Sequence, residues 1–226
     1  MSASASAAAP DPAAGRRPGG TRHIGLLMFP DVEVLDFAGP FEVFTTASRM
    51  ALRIAPDAPP PFAVHAIARQ AGLCRARAGL QAQVDHRLDA HPPLDVLLVP
   101  GGVVDAEGAQ PETLAWLART APGCEIVASV CTGAFLLAAA GLLPAGTPVT
   151  THWEDADDLR RAHPQLQVQQ GMRWIDTGRI VTSAGISAGI DMSLHLVERL
   201  AGRALAERTA RQMDFAWTEN TPLPTD

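Results

Sequence analysis

The chain has 226 residues, 47% of them hydrophobic and 19% charged, which suits one large α/β domain with a substantial core. Its 18 basic and 24 acidic side chains give a formal net charge of −6, and no basic stripe is present, so we expect no nucleic-acid-binding surface. The three cysteines form no CxxC pair, which predicts neither a disulfide framework nor a zinc site and favours a reducing, cytoplasmic compartment. No apolar run is long enough to span a bilayer, so we expect no membrane association.

The two ends of the chain differ from its centre in composition. The first residues are small or are Pro and Gly, and they lack the apolar segment led by positive charge that marks a secretory signal. We therefore predict a disordered tail over residues 1–22, a single domain over 23–216 and a loose C-terminal tail over 217–226.

Strand and helix patterns alternate along the centre of the chain. Buried strands are predicted at 24–29, 62–67, 94–99 and 126–130, a short strand at 148–151, a hairpin within 75–88 around Gly79, and a two-strand ribbon over 168–175 and 179–182. Helices are predicted at 41–50, with Gly39 and Pro40 at its entry, and at 111–120, 134–143, 154–162, 192–200 and 203–215. This alternation predicts a doubly wound, mostly parallel sheet flanked by helices.

Cys131 lies where the 126–130 strand turns into the 134–143 helix. A strand–nucleophile–Gly–helix turn resembles the nucleophile elbow of hydrolases, with sulfur in place of a hydroxyl. The position is at the carboxyl edge of the sheet, where open α/β folds bind ligands, and near a helix N-terminus that would stabilise a thiolate. The alternative is a buried structural cysteine, because free Cys is among the most buried residue types.

Three other polar positions follow predicted strands and reach the same edge. Asp36 is either a helix cap or a carboxyl group aimed into the site. Gly101 and Gly102 form either an ordinary tight turn or a loop whose N–H groups approach a ligand as an oxyanion site does. His152 either orients a thiolate and shuttles a proton or bonds to its own loop, and the residues leave each pair of alternatives open.

Motifs for cofactors are missing from the sequence. No GxGxxG or GxxxxGK[ST] follows a strand, and neither HExxH nor clustered metal-ligand spacing occurs, so we expect no cofactor and no metal. After these exclusions, the sequence predicts a functional site built around a cysteine thiol.

Several local patterns together resemble one family. They are Phe29-Pro30 with Leu35-Asp36 and Gly39-Pro40, Val99-Pro100-Gly101-Gly102, Ser129-Val130-Cys131-Thr132-Gly133, Thr150-Thr151-His152-Trp153, and Ala184-Gly185-Ile186-Ser187-Ala188-Gly189-Ile190-Asp191. The chain from residue 24 to 215 is similar to the ThiJ/PfpI superfamily, whose fold is flavodoxin-like and class I glutamine amidotransferase-like. Within it, the sequence is most similar to isonitrile hydratases and nearly as similar to the amidotransferase-like domain of AraC-type regulators. Because this chain ends soon after residue 215, we expect no DNA-reading module.

The resemblance implies a cofactor-independent enzyme that adds water to an isonitrile and releases an N-substituted formamide. It implies Cys131 as the nucleophile, Asp36 as the general acid and base, and Thr132 as a supporting hydroxyl. One carboxyl group serving as both acid and base needs a pKa raised toward neutrality, so its surroundings should be partly apolar. The superfamily also implies a homodimer, and the expected partner is otherwise a small-molecule substrate.

Substrate contacts are predicted at two overlapping sets of residues. The substrate-binding set is Gly101, Gly102, His152, Trp153 and Ile186, and the apolar lining is Phe37, Phe41, Trp153 and Ile186. Other activities also fit the thiol site: a glyoxalase-type enzyme acting on small dicarbonyls, a peptidase, or a redox or ligand sensor in which Cys131 is oxidised. Glutaminase activity is not expected, since residues 183–191 contain no His-x-Glu.

Overall fold

A computed structural model of the chain describes residues 20–220. The strands of this region are, in chain order, β1 (Arg22–Leu27), β2 (Phe62–Ala68), β3 (Gly72–Arg75), β4 (Gln81–Val84), β5 (His86–Arg87), β6 (Val96–Val99), β7 (Ile126–Val130), β8 (Pro148–Val149), β9 (Gln167–Val168), β10 (Trp174–Asp176) and β11 (Ile180–Ser183). The α-helices are α1 (Val34–Ile54), α2 (Asp105–Gly108), α3 (Pro111–Thr120), α4 (Gly133–Ala139), α5 (Ala156–Ala162), α6 (Ala188–Ala201) and α7 (Arg203–Gln212).

Seven strands form the central sheet in the order β10-β11-β7-β6-β1-β2-β5. Neighbours in this sheet pair in parallel, except that β10 runs antiparallel to β11 at the edge. The predicted mostly parallel α/β fold is therefore confirmed. The hairpin β3–β4 and the pair β8–β9 form two small separate sheets.

Helices cover both faces of the sheet, which explains why its central strands are continuous apolar runs. All five residues of β7 are buried. One face packs against α1, α6 and α7 through side chains such as Phe44 and Leu194, and the other packs against α3 and α4 through Trp116 and Leu137. The carboxyl ends of the parallel strands consequently meet at one edge, where β1, β6, β7 and β11 lead into the loops of the candidate site.

The element predictions vary in accuracy. The bounds of β7 and α3 match the predicted 126–130 and 111–120. The entry of α1 was predicted wrongly: the helix begins at Val34, and Gly39 and Pro40 lie inside it. Gly39 lies within α1 where this helix packs closely against α6. A Cβ added at Gly39 would lie 2.9 Å from Ile190 Cγ1.

Other predicted elements are shorter or differently paired than expected. The ribbon forms between β10 and β11, whereas Val168 belongs to β9 and pairs with β8. The helix predicted at 134–143 ends at Ala139. None of the helices between residues 20 and 220 combines the length and apolar character that a bilayer crossing demands.

The structure describes residues 20–22 and 217–220 of the two predicted tails, and these residues contact the domain. Residues 1–19 and 221–226 lie outside the described residues, so those parts of the tail predictions stay predictions. Strand β1 already begins at Arg22. At the other end, the Thr218 N–H donates to Asp191 Oδ1 at 2.7 Å, and the Arg203 guanidinium lies 4.5 Å from the Trp217 ring centroid. Residues 217–220 thus pack on α6 and α7, unlike the loose tail predicted there.

Candidate active site

Cys131 occupies a strained turn between β7 and α4. Its φ of 56° is in the left-handed region, which a non-glycine residue adopts at a cost of about 1–3 kcal/mol. The surroundings hold this conformation: the Cys131 N–H donates to the Ser183 and Ala184 carbonyls at 3.2 and 3.3 Å, and the Thr151 hydroxyl donates to the Cys131 carbonyl at 2.8 Å. A Cβ at Gly133 would lie 2.1 Å from the Val99 carbonyl oxygen, so glycine is required there. The turn has the geometry of the predicted elbow.

Asp36 lies in the first turn of α1 with its side chain fully buried. The Gly101 N–H donates to its Oδ2 at 3.1 Å, while Oδ1 has no hydrogen-bond partner among the described residues. Burial raises the pKa of Asp36 to about 7, and the Gly101 N–H and the Cys131 thiol oppose this rise in part. The raised pKa that the resemblance requires is therefore present, and a plain capping role does not account for this burial.

The pKa of the Cys131 thiol is raised, whereas the sequence predicts that it is lowered. Burial and the negative charge of Asp36 raise the pKa of Cys131 to about 12, against the opposing hydrogen bond from the Thr132 N–H. The prediction that the N-terminus of α4 stabilises a thiolate was thus wrong, because desolvation outweighs a seven-residue helix. The resting pair at neutral pH is therefore a thiol beside a carboxyl group whose pKa lies near neutrality.

Thr132 connects the elbow to the Gly101-Gly102 turn. Its hydroxyl accepts from the Gly102 N–H at 2.9 Å and donates to the Gly102 carbonyl at 3.0 Å. The Gly101 N–H is bonded to Asp36 and the Gly102 N–H to Thr132, so these contacts favour the ordinary-turn alternative over the oxyanion alternative. A Cβ at Gly101 would lie 2.5 Å from Thr132 Oγ1 and 2.9 Å from Asp36 Oδ2, so glycine is what lets these two side chains meet.

His152 makes local contacts in its own loop. Its Nδ1 lies 3.2 Å from Asp155 Oδ2 and 3.4 Å from the Glu154 backbone nitrogen. The imidazole also packs directly on Gly185, where an added Cβ would lie 2.1 Å from His152 Cδ2. These contacts favour the loop-bonding alternative for His152, and the ring also lines the pocket that contains Cys131.

A pocket of about 580 Å³ opens onto Cys131. Of the predicted substrate-binding residues, Gly102, His152 and Ile186 line it, together with Thr132. Gly101 lies buried beside Asp36 instead, and Trp153 is 67% exposed outside the lining.

The predicted apolar lining is partly wrong. Phe37 and Phe41 line a different pocket, of about 420 Å³, between α1 and β2. The apolar wall beside Cys131 consists of Val103, Val104, Phe135, Ala162 and Ile186. Ile186 has a φ of 52°, so a second strained backbone position adjoins the site.

Sequence reasoning missed two kinds of residue. The Thr151 hydroxyl supports the Cys131 turn, and Gly185 leaves room for the His152 ring. Both residues belong to the family motifs quoted above, and this membership is the sequence signal that could have identified them. The pocket also carries the carboxylates of Glu33, Asp105, Glu154, Asp155 and Asp158, which come from separate segments without a recognisable spacing. Among residues 20–220, no cluster of His, Cys, Asp and Glu has the arrangement of a metal site.

Comparison with known proteins agrees with this fold. The model of the DJ-1/PfpI family matches residues 22–199, and the chain belongs to that family. It is 34% identical to an isonitrile hydratase of Pseudomonas putida, over 85% of this chain and 78% of that protein. A ThiJ/PfpI family protein of Pseudomonas syringae, 28% identical, superposes with a TM-score of 0.76 over 94% of this chain and 84% of that one.

Transcription regulators are also among the relatives. The chain is 30% identical to the HTH-type transcriptional regulator CdhR of Pseudomonas aeruginosa, over 82% of this chain. It spans about half of that regulator, 53% of its length. An AraC family transcriptional regulator from Pseudomonas putida has the same fold, with a TM-score of 0.70 at 20% identity.

Proposed function

We propose that the protein adds water to an isonitrile and releases an N-substituted formamide, with Cys131 as nucleophile and Asp36 as the group that moves protons. The observation that carries the proposal is the buried Asp36 carboxyl, whose pKa is raised to about 7 beside the Cys131 thiol. A carboxyl group that titrates near neutral pH can both give and take a proton in one catalytic cycle. The similarity to an isonitrile hydratase supports the same reaction.

The first half of the cycle builds a thioimidate. Cys131 and Asp36 share one proton, and its transfer from sulfur to the carboxylate creates a thiolate and a carboxylic acid. The thiolate bonds to the terminal carbon of the isonitrile as Asp36 delivers the proton to that carbon. The product is R–N=CH–S–Cys131, and Asp36 is again a carboxylate.

The second half releases the formamide. Asp36 takes a proton from water as the water oxygen bonds to the thioimidate carbon, and it passes that proton to the nitrogen. The adduct R–NH–CH(OH)–S–Cys131 then collapses: the C–S bond breaks, the hydroxyl proton moves through Asp36 to the sulfur, and R–NH–CHO leaves. One isonitrile and one water are consumed, and the thiol and carboxylate are regenerated without an external cofactor.

The hydrogen bonds of Thr132 and Gly101 support a positioning role in this scheme. The Thr132 hydroxyl holds the Gly102 segment in place, and its backbone N–H lowers the pKa of the Cys131 thiol. The Gly101 N–H donates to Asp36 Oδ2, which supports Oδ1 as the oxygen that exchanges a proton with the Cys131 thiol.

A ligand sensor is the second candidate, and two observations favour it. Regulators at 30% identity match over four fifths of this chain. In addition, burial raises the pKa of Cys131 to about 12, which suppresses the thiolate that catalysis needs. In this case Cys131 and Asp36 would form a binding pocket without turnover.

One experiment separates these functions. Purified protein is given a small aliphatic isonitrile and, in parallel, methylglyoxal, and products are followed by NMR beside Cys131→Ala. Formamide that requires Cys131 supports the proposal, whereas Cys131-dependent loss of methylglyoxal alone moves the activity to dicarbonyls. If neither substrate is consumed but the isonitrile raises Tm, the sensor is favoured.

A further inference from the structure

The wall of the Cys131 pocket is strongly acidic. Five carboxylates line it, and they belong to Glu33, Asp105, Glu154, Asp155 and Asp158. They come from the loop before α1, from α2, and from α5 with the turn that leads into it, so three parts of the chain surround the opening with negative charge. The lining also contains one positively charged side chain, the guanidinium of Arg77.

Some of these charges are compensated by neighbours. Arg77 pairs with Glu33 at 3.3 Å, Asp158 pairs with Arg161, and Asp155 contacts His152. Asp105 and Glu154 have no ion pair among residues 20–220, and both are exposed. The pocket thus keeps at least two uncompensated negative charges at its wall.

The same pocket has independent features of a ligand site. Cys131 belongs to its lining, and Asp36, which interacts with the Cys131 thiol, is fully buried beside it with Oδ1 outside the hydrogen bonds of the described residues. Its volume of about 580 Å³ is far larger than an isonitrile group needs, and Val103, Phe135 and Ile186 give it an apolar side. A substrate that fills it therefore carries a sizeable group beyond its reacting carbon.

We propose that this pocket selects cationic over anionic substrates, and that Asp105 and Glu154 are the specificity-determining residues. The substrate class is an isonitrile with an apolar spacer and an ammonium group near the opening; this assignment of class rests on the proposed function. An uncompensated carboxylate about 8 Å from the charge of a ligand raises the concentration of a cationic ligand at the pocket about twofold in water, and it lowers that of an anionic ligand by the same factor. Attraction of a cation and repulsion of an anion by two such groups give about a tenfold preference at low ionic strength.

Charged thiol reagents test the selectivity without requiring turnover. Three methanethiosulfonates are used, which carry a trimethylammonioethyl, an ethyl or a sulfonatoethyl group. In each case the Cys131 thiolate bonds to the sulfenyl sulfur and methanesulfinate leaves, so the mixed disulfide needs no other oxidant. Rates are followed by intact mass, corrected with Cys131→Ser for Cys74 and Cys124, and divided by the rate of each reagent with a free thiol.

The expected result is a normalised rate about tenfold higher for the cationic than for the anionic reagent at 10 mM salt. The ratio should fall toward one in 1 M salt, where the Debye length is about 3 Å. The double variant Asp105→Asn/Glu154→Gln should lower the ratio severalfold. Its matched control, Asp57→Asn/Glu112→Gln, removes the same charge from exposed positions outside the pocket and should leave the ratio unchanged.

Three results would overturn the inference. One is a ratio of one or less in the native protein, and another is an equal fall in both double variants, which would assign the effect to net charge. The third is a neutral reagent that modifies Cys131 no faster than the buried Cys124, whose thiol pKa is raised to the same value, because the pocket would then not lead a ligand to the Cys131 sulfur.

Isonitriles of equal length that end in ammonium, methyl or carboxylate complete the test. The expected order of kcat/KM is ammonium, then methyl, then carboxylate. Absence of formamide from all three would refute the proposed function while the reagent ratio still stood, whereas equal kcat/KM for all three would refute the inference and leave the function intact.

Discussion

Replacing Asp36 by Asn should stabilise the fold at neutral pH even though it removes the proposed acid and base. Burial raises the pKa of Asp36 from an ordinary value of 3.8 to about 7. Folding therefore favours its protonated form, and the resulting stability is fully present below pH 3.8 and is lost as the pH rises through 7. The interval between the two values corresponds to about 4 kcal/mol of unfolding free energy. Asn cannot ionise and is free of this loss.

The assay compares urea unfolding of Asp36→Asn with that of the native protein at several pH values. The Cys131 thiol, whose pKa Asp36 also raises, ionises above pH 8, so below that pH the difference between the two free energies isolates Asp36. Between pH 5 and pH 8, that difference should grow in favour of the variant by about 3 kcal/mol. Asp57→Asn, which removes an exposed carboxylate, serves as the control for loss of charge, and its difference should stay nearly constant.

Two outcomes would refute this reasoning. A difference that does not change with pH would mean that Asp36 ionises as readily in the folded as in the unfolded protein. A difference that shrinks as the pH rises would mean that the folded state stabilises the carboxylate, which contradicts the dominance of burial.

Three further predictions concern activity. The reactive form of the thiol–carboxyl pair carries one proton, and the pair gains a second proton below the pKa of Asp36. For this reason kcat/KM for an isonitrile should rise with pH through about 7 and then level off. A fall in kcat/KM across this range would exclude the scheme. Gly101→Ala places a Cβ against Thr132 and Asp36 and should lower activity at least tenfold and stability by about 1–3 kcal/mol, whereas Gly123→Ala, with open space around it, should change neither in the same assays. His152→Ala should lower isonitrile turnover less than tenfold and any dicarbonyl turnover more; equal collapse of both would assign the imidazole a direct role in each reaction.

The sequence predicted those parts of the molecule that depend on local pattern. The bounds of β7 and α3 agree with the prediction to the residue, because a continuous apolar run and a proline at a helix start are signals carried by a few consecutive residues. Asp36 and Cys131 were expected at one edge because carboxyl ends of parallel strands meet there, and their contact follows from that topology.

Features that depend on packing between distant segments were not predictable. The Cys131 thiol lies near a helix N-terminus, yet its pKa is set by burial and by Asp36, about a hundred residues earlier in the chain. The position of Pro40 predicts a helix start there, whereas α1 begins six residues before it. The carboxylates of Asp105 and Glu154 converge on one pocket from separate segments, so no spacing reveals them. The homodimer stays a prediction.

The most direct test of the central claim is formamide formation by the native protein and by Cys131→Ala under identical conditions. An aliphatic isonitrile is supplied in excess, formamide is quantified by NMR, and urea unfolding verifies that the variant is folded. We predict steady formamide formation by the native protein and a rate for Cys131→Ala no greater than that of buffer. A folded Cys131→Ala variant that still produces formamide at the native rate would contradict the account.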